Sequence, residues 1–126
     1  MAAPSRRERI EAMLADDPCD TFLRYSLAME LAKEGEHQRS REVYGELMAD
    51  DPPYVPAFFM LAQQWVQLER IDEARTALRD GIEQARRQGN AHAAGEMSEL
   101  LASLGAGGGE SSWRIGSPKP GSLTDT

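Results

Sequence analysis

Asp50 to Leu78, DDPPYVPAFFMLAQQWVQLERIDEARTAL, decides the fold because the same stretch occurs twice. Set over Asp16 to Tyr44, DDPCDTFLRYSLAMELAKEGEHQRSREVY, it aligns Asp16 with Asp50, Asp17 with Asp51, Pro18 with Pro52, Leu27 with Leu61 and Ala28 with Ala62, always at the same offset. A fixed period of roughly 34 residues marks stacked helix-turn-helix units, none of which buries its apolar face alone. The expected fold class is therefore all-α, a short α-solenoid. The expected class of function is binding.

The spacing of Phe58, Leu61, Ala62, Trp65, Ala74 and Leu78 resembles the pattern W-x2-L-G-x2-Y…A-x3-F of tetratricopeptide repeats. The earlier copy is similar through Leu27, Ala28, Leu31, Gly35, Ser40, Tyr44 and the closing Pro52. It departs at Arg24, where the family has a bulky apolar residue, and the later copy departs at Arg86, where the closing proline should stand. The resemblance spans Arg6 to Leu104. It implies a right-handed superhelix whose first helices line a concave surface, and a non-catalytic module that binds other proteins.

Working outward, Ser5 with Glu8 three residues on forms a capping box for a first helix, which repeats Arg41–Asp50 one period early and is thus half a repeat. Six antiparallel helices are expected, near Ser5–Ala15, Thr21–Glu34, Gln38–Asp50, Val55–Glu69, Asp72–Gln88 and Ala91–Leu104: two full repeats between a half repeat and a terminal cap. Asp20 and Asn90 are expected N-caps, and Gly35 and Gly89 supply the left-handed conformation at helix ends. Pro52 and Pro53 mark a boundary, since the residue before a proline avoids helical geometry. Phe58, Leu61, Ala62, Trp65 and Leu68 form one packing line, and Ile71, Ala74, Leu78, Ile82 and Ala85 the line opposite. Leu61 and Trp65 are expected to meet Leu78 and Ile82. Gly81 should permit close helix approach, and Gly95 should weaken the last helix. Residues 1–104 thus read as one repeat domain and 105–126, rich in Gly, Ser and Pro, as a disordered tail in which Trp113 and Ile115 are a candidate docking element.

Composition bounds the function. The net charge of −7 argues against a nucleic-acid or anionic-membrane binder, which would carry basic patches. A lone Cys19 gives no disulfide framework, and MAAPSRRERIEAML has no apolar run of a signal peptide or membrane span, so a cytoplasmic location is expected. His37 and His92 lie more than a repeat apart, no zinc spacing is present, and Cys19 has no base beside it in sequence. The pairs Asp16-Asp17 and Asp50-Asp51 recur at the repeat period and read as one inter-repeat turn. Gly107-Gly108-Gly109 lacks the strand and helix of a phosphate loop. The expectation is no enzyme, no cofactor and no metal.

Applied to this chain, the family resemblance implies a groove lined by Phe22, Tyr25, Met29 and Lys33 from one repeat and Phe59, Met60, Gln63, Val66 and Gln67 from the next. Tyr25, Met29 and Phe59 are expected to point away from the core. Relatives that clamp a peptide's terminal carboxylate resemble one another in carrying Lys, Arg and Asn on this surface; here only Lys33 is of that kind, which argues against such a clamp. Apolar residues with adaptable methionines suit an amphipathic helix or a hydrophobic strand. The alternative is that the cap helix, or a second copy in a homodimer, covers this surface.

Overall fold

The computed structural model describes residues 2–106, and every regular element among them is an α-helix. These are α1 (Arg6–Asp16), α2 (Thr21–Lys33), α3 (His37–Met48), α4 (Val55–Gln67), α5 (Ile71–Arg87) and α6 (Ala91–Ala106). Each helix packs against the next, and α4 also touches α6, so the chain is an all-α repeat solenoid. Helix starts fall within one residue of the sequence expectation and ends within two. α6 runs two residues into the segment assigned to the tail. The remaining tail, with Trp113 and Ile115, lies outside the described residues.

Local chemistry accounts for the boundaries. Ser5 Oγ accepts from the Glu8 amide at 3.0 Å while Glu8 Oε1 accepts from the Ser5 amide at 2.8 Å, closing the capping box. Asp20 caps α2 through the Leu23 amide at 2.8 Å, and Asn90 caps α6 through the Ala93 amide at 3.1 Å. α2, α4 and α5 end in one and the same turn, in which a residue of positive φ is followed by an amide that donates back to the carbonyl five residues earlier. The positive-φ residues are Gly35 at 84°, Glu69 at 61° and Gly89 at 76°. The bonds, Glu36 to Leu31, Arg70 to Trp65 and Asn90 to Ala85, measure 2.8, 2.8 and 2.7 Å. Glu69 stands one period after Gly35 and takes the left-handed conformation despite its Cβ. α3 is 12 residues long and α5 17. The difference follows from Arg86, since no proline obliges α5 to stop.

Packing divides into two clusters that share α4. Ala28, Tyr44, Leu47, Ala57 and Leu61 join α2, α3 and α4. Val55, Phe58, Ala62, Ala77, Leu78, Ile82, Ala85, Ala94 and Met97 join α4, α5 and α6. This corrects the expectation for Leu61 and Trp65: both belong to the α2–α3 side, and it is Phe58 and Ala62 that meet Leu78 and Ile82. A helix covered on two sides presents Ala57, Leu61 and Trp65, one turn apart, to one neighbour, and the row turned by one residue to the other. Gly81 sits where α5 crosses α4. A Cβ there would lie 2.6 Å from both Phe58 Cβ and Met97 Sδ, so the close approach depends on its absence.

α1 is attached differently. Ile10 is its only buried residue, and Met13 stays half exposed. Arg6 reaches Glu30 of α2 at 3.0 Å and Arg7 reaches Glu34 at 2.7 Å, so charge tethers much of what apolar contact does elsewhere.

Candidate interaction groove

Met29 and Lys33 of α2 and Met60, Gln63 and Gln67 of α4 line one pocket of about 300 Å³, completed by Ala32, His37, Tyr44 and Gln64. Helical spacing brings them together: 29 and 33 lie one turn apart on α2, and 60, 63, 64 and 67 follow the i, i+3, i+4, i+7 face of α4. Five of the nine residues expected to line a groove are thus neighbours. The other four are elsewhere. Phe22 is 69% exposed and outside this pocket, and Val66 is half-buried and also outside it.

Tyr25 and Phe59 correct the expectation that they point away from the core. Tyr25 packs edge-on against Tyr54 with ring centroids 5.3 Å apart and lies 6.0 Å from the Tyr44 ring, tying α2 to the chain entering α4. Phe59 packs against the α5–α6 cluster. Met29 and Met60, though they line the pocket, also rest partly buried on the first cluster. Between tightly stacked helices a large side chain has apolar neighbours on more than one side, which a single-helix projection does not register.

The floor of the groove is polar at one point. Tyr44 is fully buried, and its hydroxyl has no hydrogen-bond partner among the described residues. The nearby Ser40 hydroxyl is engaged, donating to the Ala28 carbonyl at 2.6 Å and accepting from Gln64 Nε2 at 2.9 Å. Burial pushes the Tyr44 phenol far above its ordinary value and, more mildly, that of Tyr25. At the rim, Lys33 Nζ is 3.2 Å from Glu30, whose carboxylate also holds Arg6. That pairing leaves Lys33 partly neutralised. Gln63 and Gln67 make no side-chain hydrogen bond among the described residues, so their amides face the pocket as open donors and acceptors. Sequence reasoning missed Ala32, His37, Tyr44 and Gln64 as lining residues. Gln64 was legible in the spacing of α4, whereas Tyr44 reads as core and is core, lying beneath the pocket.

The two departures from the repeat pattern differ in consequence. Arg86 lets α5 run on, whereas Arg24 makes a two-pronged contact with Asp50 at 2.7 and 3.2 Å. With its side chain 17% exposed, this guanidinium fastens α2 to the next inter-repeat turn where an apolar ring would stand. The contact also raises the Arg24 pKa. Among the described residues no group of three or more His, Cys, Asp or Glu side chains could hold a metal ion, and Cys19 is exposed with a free thiol. No described helix is long and apolar enough to cross a membrane.

Stacked helix pairs with a groove between their first helices define a helical-repeat scaffold. Residues 31–105 match the family described as Tetratricopeptide repeat, and the chain belongs to that family. Such repeats generally mediate protein–protein interaction. A tetratricopeptide repeat domain protein from Salinibacter ruber, solved by solution NMR, is similar in structure, with a TM-score of 0.70 and 29% identity over 77% of this chain and 98% of that one. None of the curated proteins compared matches the chain.

Proposed function

We propose that the protein is a non-catalytic adaptor or assembly factor that takes a peptide or helix of another protein into the groove between α2 and α4. One observation carries this reading: Met29 and Met60 come together over one pocket whose other lining includes the uncommitted amides of Gln63 and Gln67. Thioethers adapt to apolar side chains of varied shape, and amides satisfy the backbone of whatever lies across them. The net charge of −7 and the lone thiol of Cys19 support a protein partner in the cytoplasm, with neither nucleic acid nor membrane as the surface bound. Of the expected residues outside the pocket, exposed Phe22 and half-buried Val66 would extend the contact beyond it, whereas Tyr25 and Phe59 serve packing.

The test compares capture of partners from a cell extract by the wild type and by Gln63→Ala/Gln67→Ala, a pair that leaves both apolar clusters intact. A partner retained by the wild type and lost from the variant, at unchanged thermal midpoint, supports the reading. Equal capture by both refutes the groove. A wild-type dimer in sedimentation that this variant dissociates assigns the groove to a second copy instead.

A further inference from the structure

The face that forms the Met29–Met60 groove continues onto α6. Aligned from their first residues, Val55 and Ala91, α4 and α6 place Leu61 over Met97 and Trp65 over Leu101. The packing keeps this register. Leu61 shares its cluster with Leu47 of α3, and Met97 meets α5 at Gly81, which stands one period after Leu47. Two helices that enter the stack in the same rotation present the same positions to the groove. Met60, Gln63 and Gln67 of the pocket are therefore followed on α6 by Glu96, Glu99 and Ser103, all three exposed.

Charge changes sign along this surface. No carboxylate lines the pocket itself, where Lys33 and His37 stand on the α2 side and α4 supplies a thioether and amides. α6 has no Lys or Arg and contributes Glu96 and Glu99. Glu96 lies 3.5 Å from His92 of its own helix, and Glu99 has no ion pair among the described residues. Beneath the pocket the Tyr44 hydroxyl is buried without a partner, the kind of group that a bound chain completes.

From this continuity and charge we infer that the segment taken into the groove is both apolar and basic, with an apolar side chain between Met29 and Met60 and a Lys or Arg over Glu96 and Glu99. The inference rests on the function proposed above and adds the chemistry of the partner. Laid the other way, the segment would bring its cation beside Lys33, so the charges also decide which end lies on α6. α6 is one helix spacing of about 8–10 Å from α4, and the pocket lies half a spacing further, between α2 and α4. The two side chains are thus about 12–15 Å apart, or about four residues of extended chain.

The experiment selects binders from a library of random short peptides on the wild type, then measures their affinity for Glu96→Lys/Glu99→Lys and for Gln63→Ala/Gln67→Ala by fluorescence anisotropy. Both glutamates are exposed, so the charge reversal leaves the apolar clusters intact. The expected peptides carry a Lys or Arg about four residues from a large apolar residue and weaken on both variants, by about tenfold on the charge reversal at low ionic strength. Replacing that Lys or Arg by Glu in the peptide should restore binding to the reversed variant. Peptides that need Gln63 and Gln67 but bind the reversed variant as well as the wild type, or that lose affinity without the recovery, overturn the inference and leave the groove standing. A selection that yields no peptide dependent on Gln63 and Gln67 overturns both.

Discussion

Single residues reveal how closely the helices are set. Gly81 and Gly95 are both helical glycines, and on propensity alone replacing either by alanine should stabilise by about 1 kcal/mol. Their surroundings give the two changes opposite signs. Nothing lies within 4 Å of a Cβ built at Gly95, whereas one at Gly81 meets Phe58 Cβ and Met97 Sδ at 2.6 Å. Gly95→Ala is expected to raise the thermal midpoint by several degrees, and Gly81→Ala to lower it through about 1–3 kcal/mol of overpacking. Differential scanning calorimetry of the two variants decides this. Tyr44 offers a second residue-scale outcome. Its phenol has a folded-state pKa raised above the ordinary 10.0, so the unfolded chain loses that proton first as pH rises, and stability present below about pH 10 is lost above it. Tyr44→Phe should flatten this alkaline decline to what Tyr25 leaves. Removing a buried hydroxyl without a partner should also add about 1 kcal/mol at neutral pH, read by urea denaturation at two pH values.

At the scale of elements, α1 stands apart because ion pairs take over from burial. Glu30, its side chain only 11% exposed, ties α1 to α2 through Arg6 and also pairs with Lys33 of its own helix, while Arg6 and Lys33 are 62% and 67% exposed and return to water easily. Glu30→Gln is therefore expected to cost about 1–2 kcal/mol and to act locally. Amide exchange should accelerate in α1 while α4 and α5 keep their protection; uniform acceleration would show α1 to be part of one cooperative unit with the rest. The turn after α4 makes a related point. Its left-handed residue is Glu69 where the earlier repeat has Gly35, so the repeat geometry imposed a conformation that local preference opposes. From the sequence, Gly35 and Gly89 were readable as helix ends because glycine has that freedom. Glu69 was not, since only its place one period after Gly35 points to the conformation it takes.

For the whole molecule, the decisive feature is that α4 belongs to both apolar clusters. Leu61→Ala removes a side chain from the first cluster and is expected to cost about 2–5 kcal/mol, enough to endanger a small domain. Because α4 also carries Phe58 and Ala62 into the second cluster, the loss should spread to α5 and α6 as a single transition by circular dichroism and tryptophan fluorescence together. Tyr25→Ser is expected to destabilise as well, by an intermediate amount, because its ring packs against Tyr54 and Tyr44. That outcome would separate it from Gln63 and Gln67, whose removal should leave the midpoint unaltered. On the proposed function, binding therefore rests on the Gln63 and Gln67 amides and stability on the Tyr25 ring.

The sequence by itself determined the repeat, its period, the number of helices and their ends, because these depend on spacing, capping side chains and glycines that act within a few residues of themselves. The face of α4 that meets each neighbour was decided only in the tertiary structure. A helix apolar around most of its girth is compatible with several rotations, and the choice is made by what packs on both sides at once. The same limit explains the groove. Met29, Lys33, Met60, Gln63 and Gln67 could be named from helical position once the family resemblance had assigned the concave surface to α2 and α4, yet Tyr25 and Phe59 shared their spacing and were drawn instead into aromatic and apolar contacts. Whether a large side chain lines a cleft or closes one depends on the distance to the next helix, a quantity that no single stretch of sequence contains.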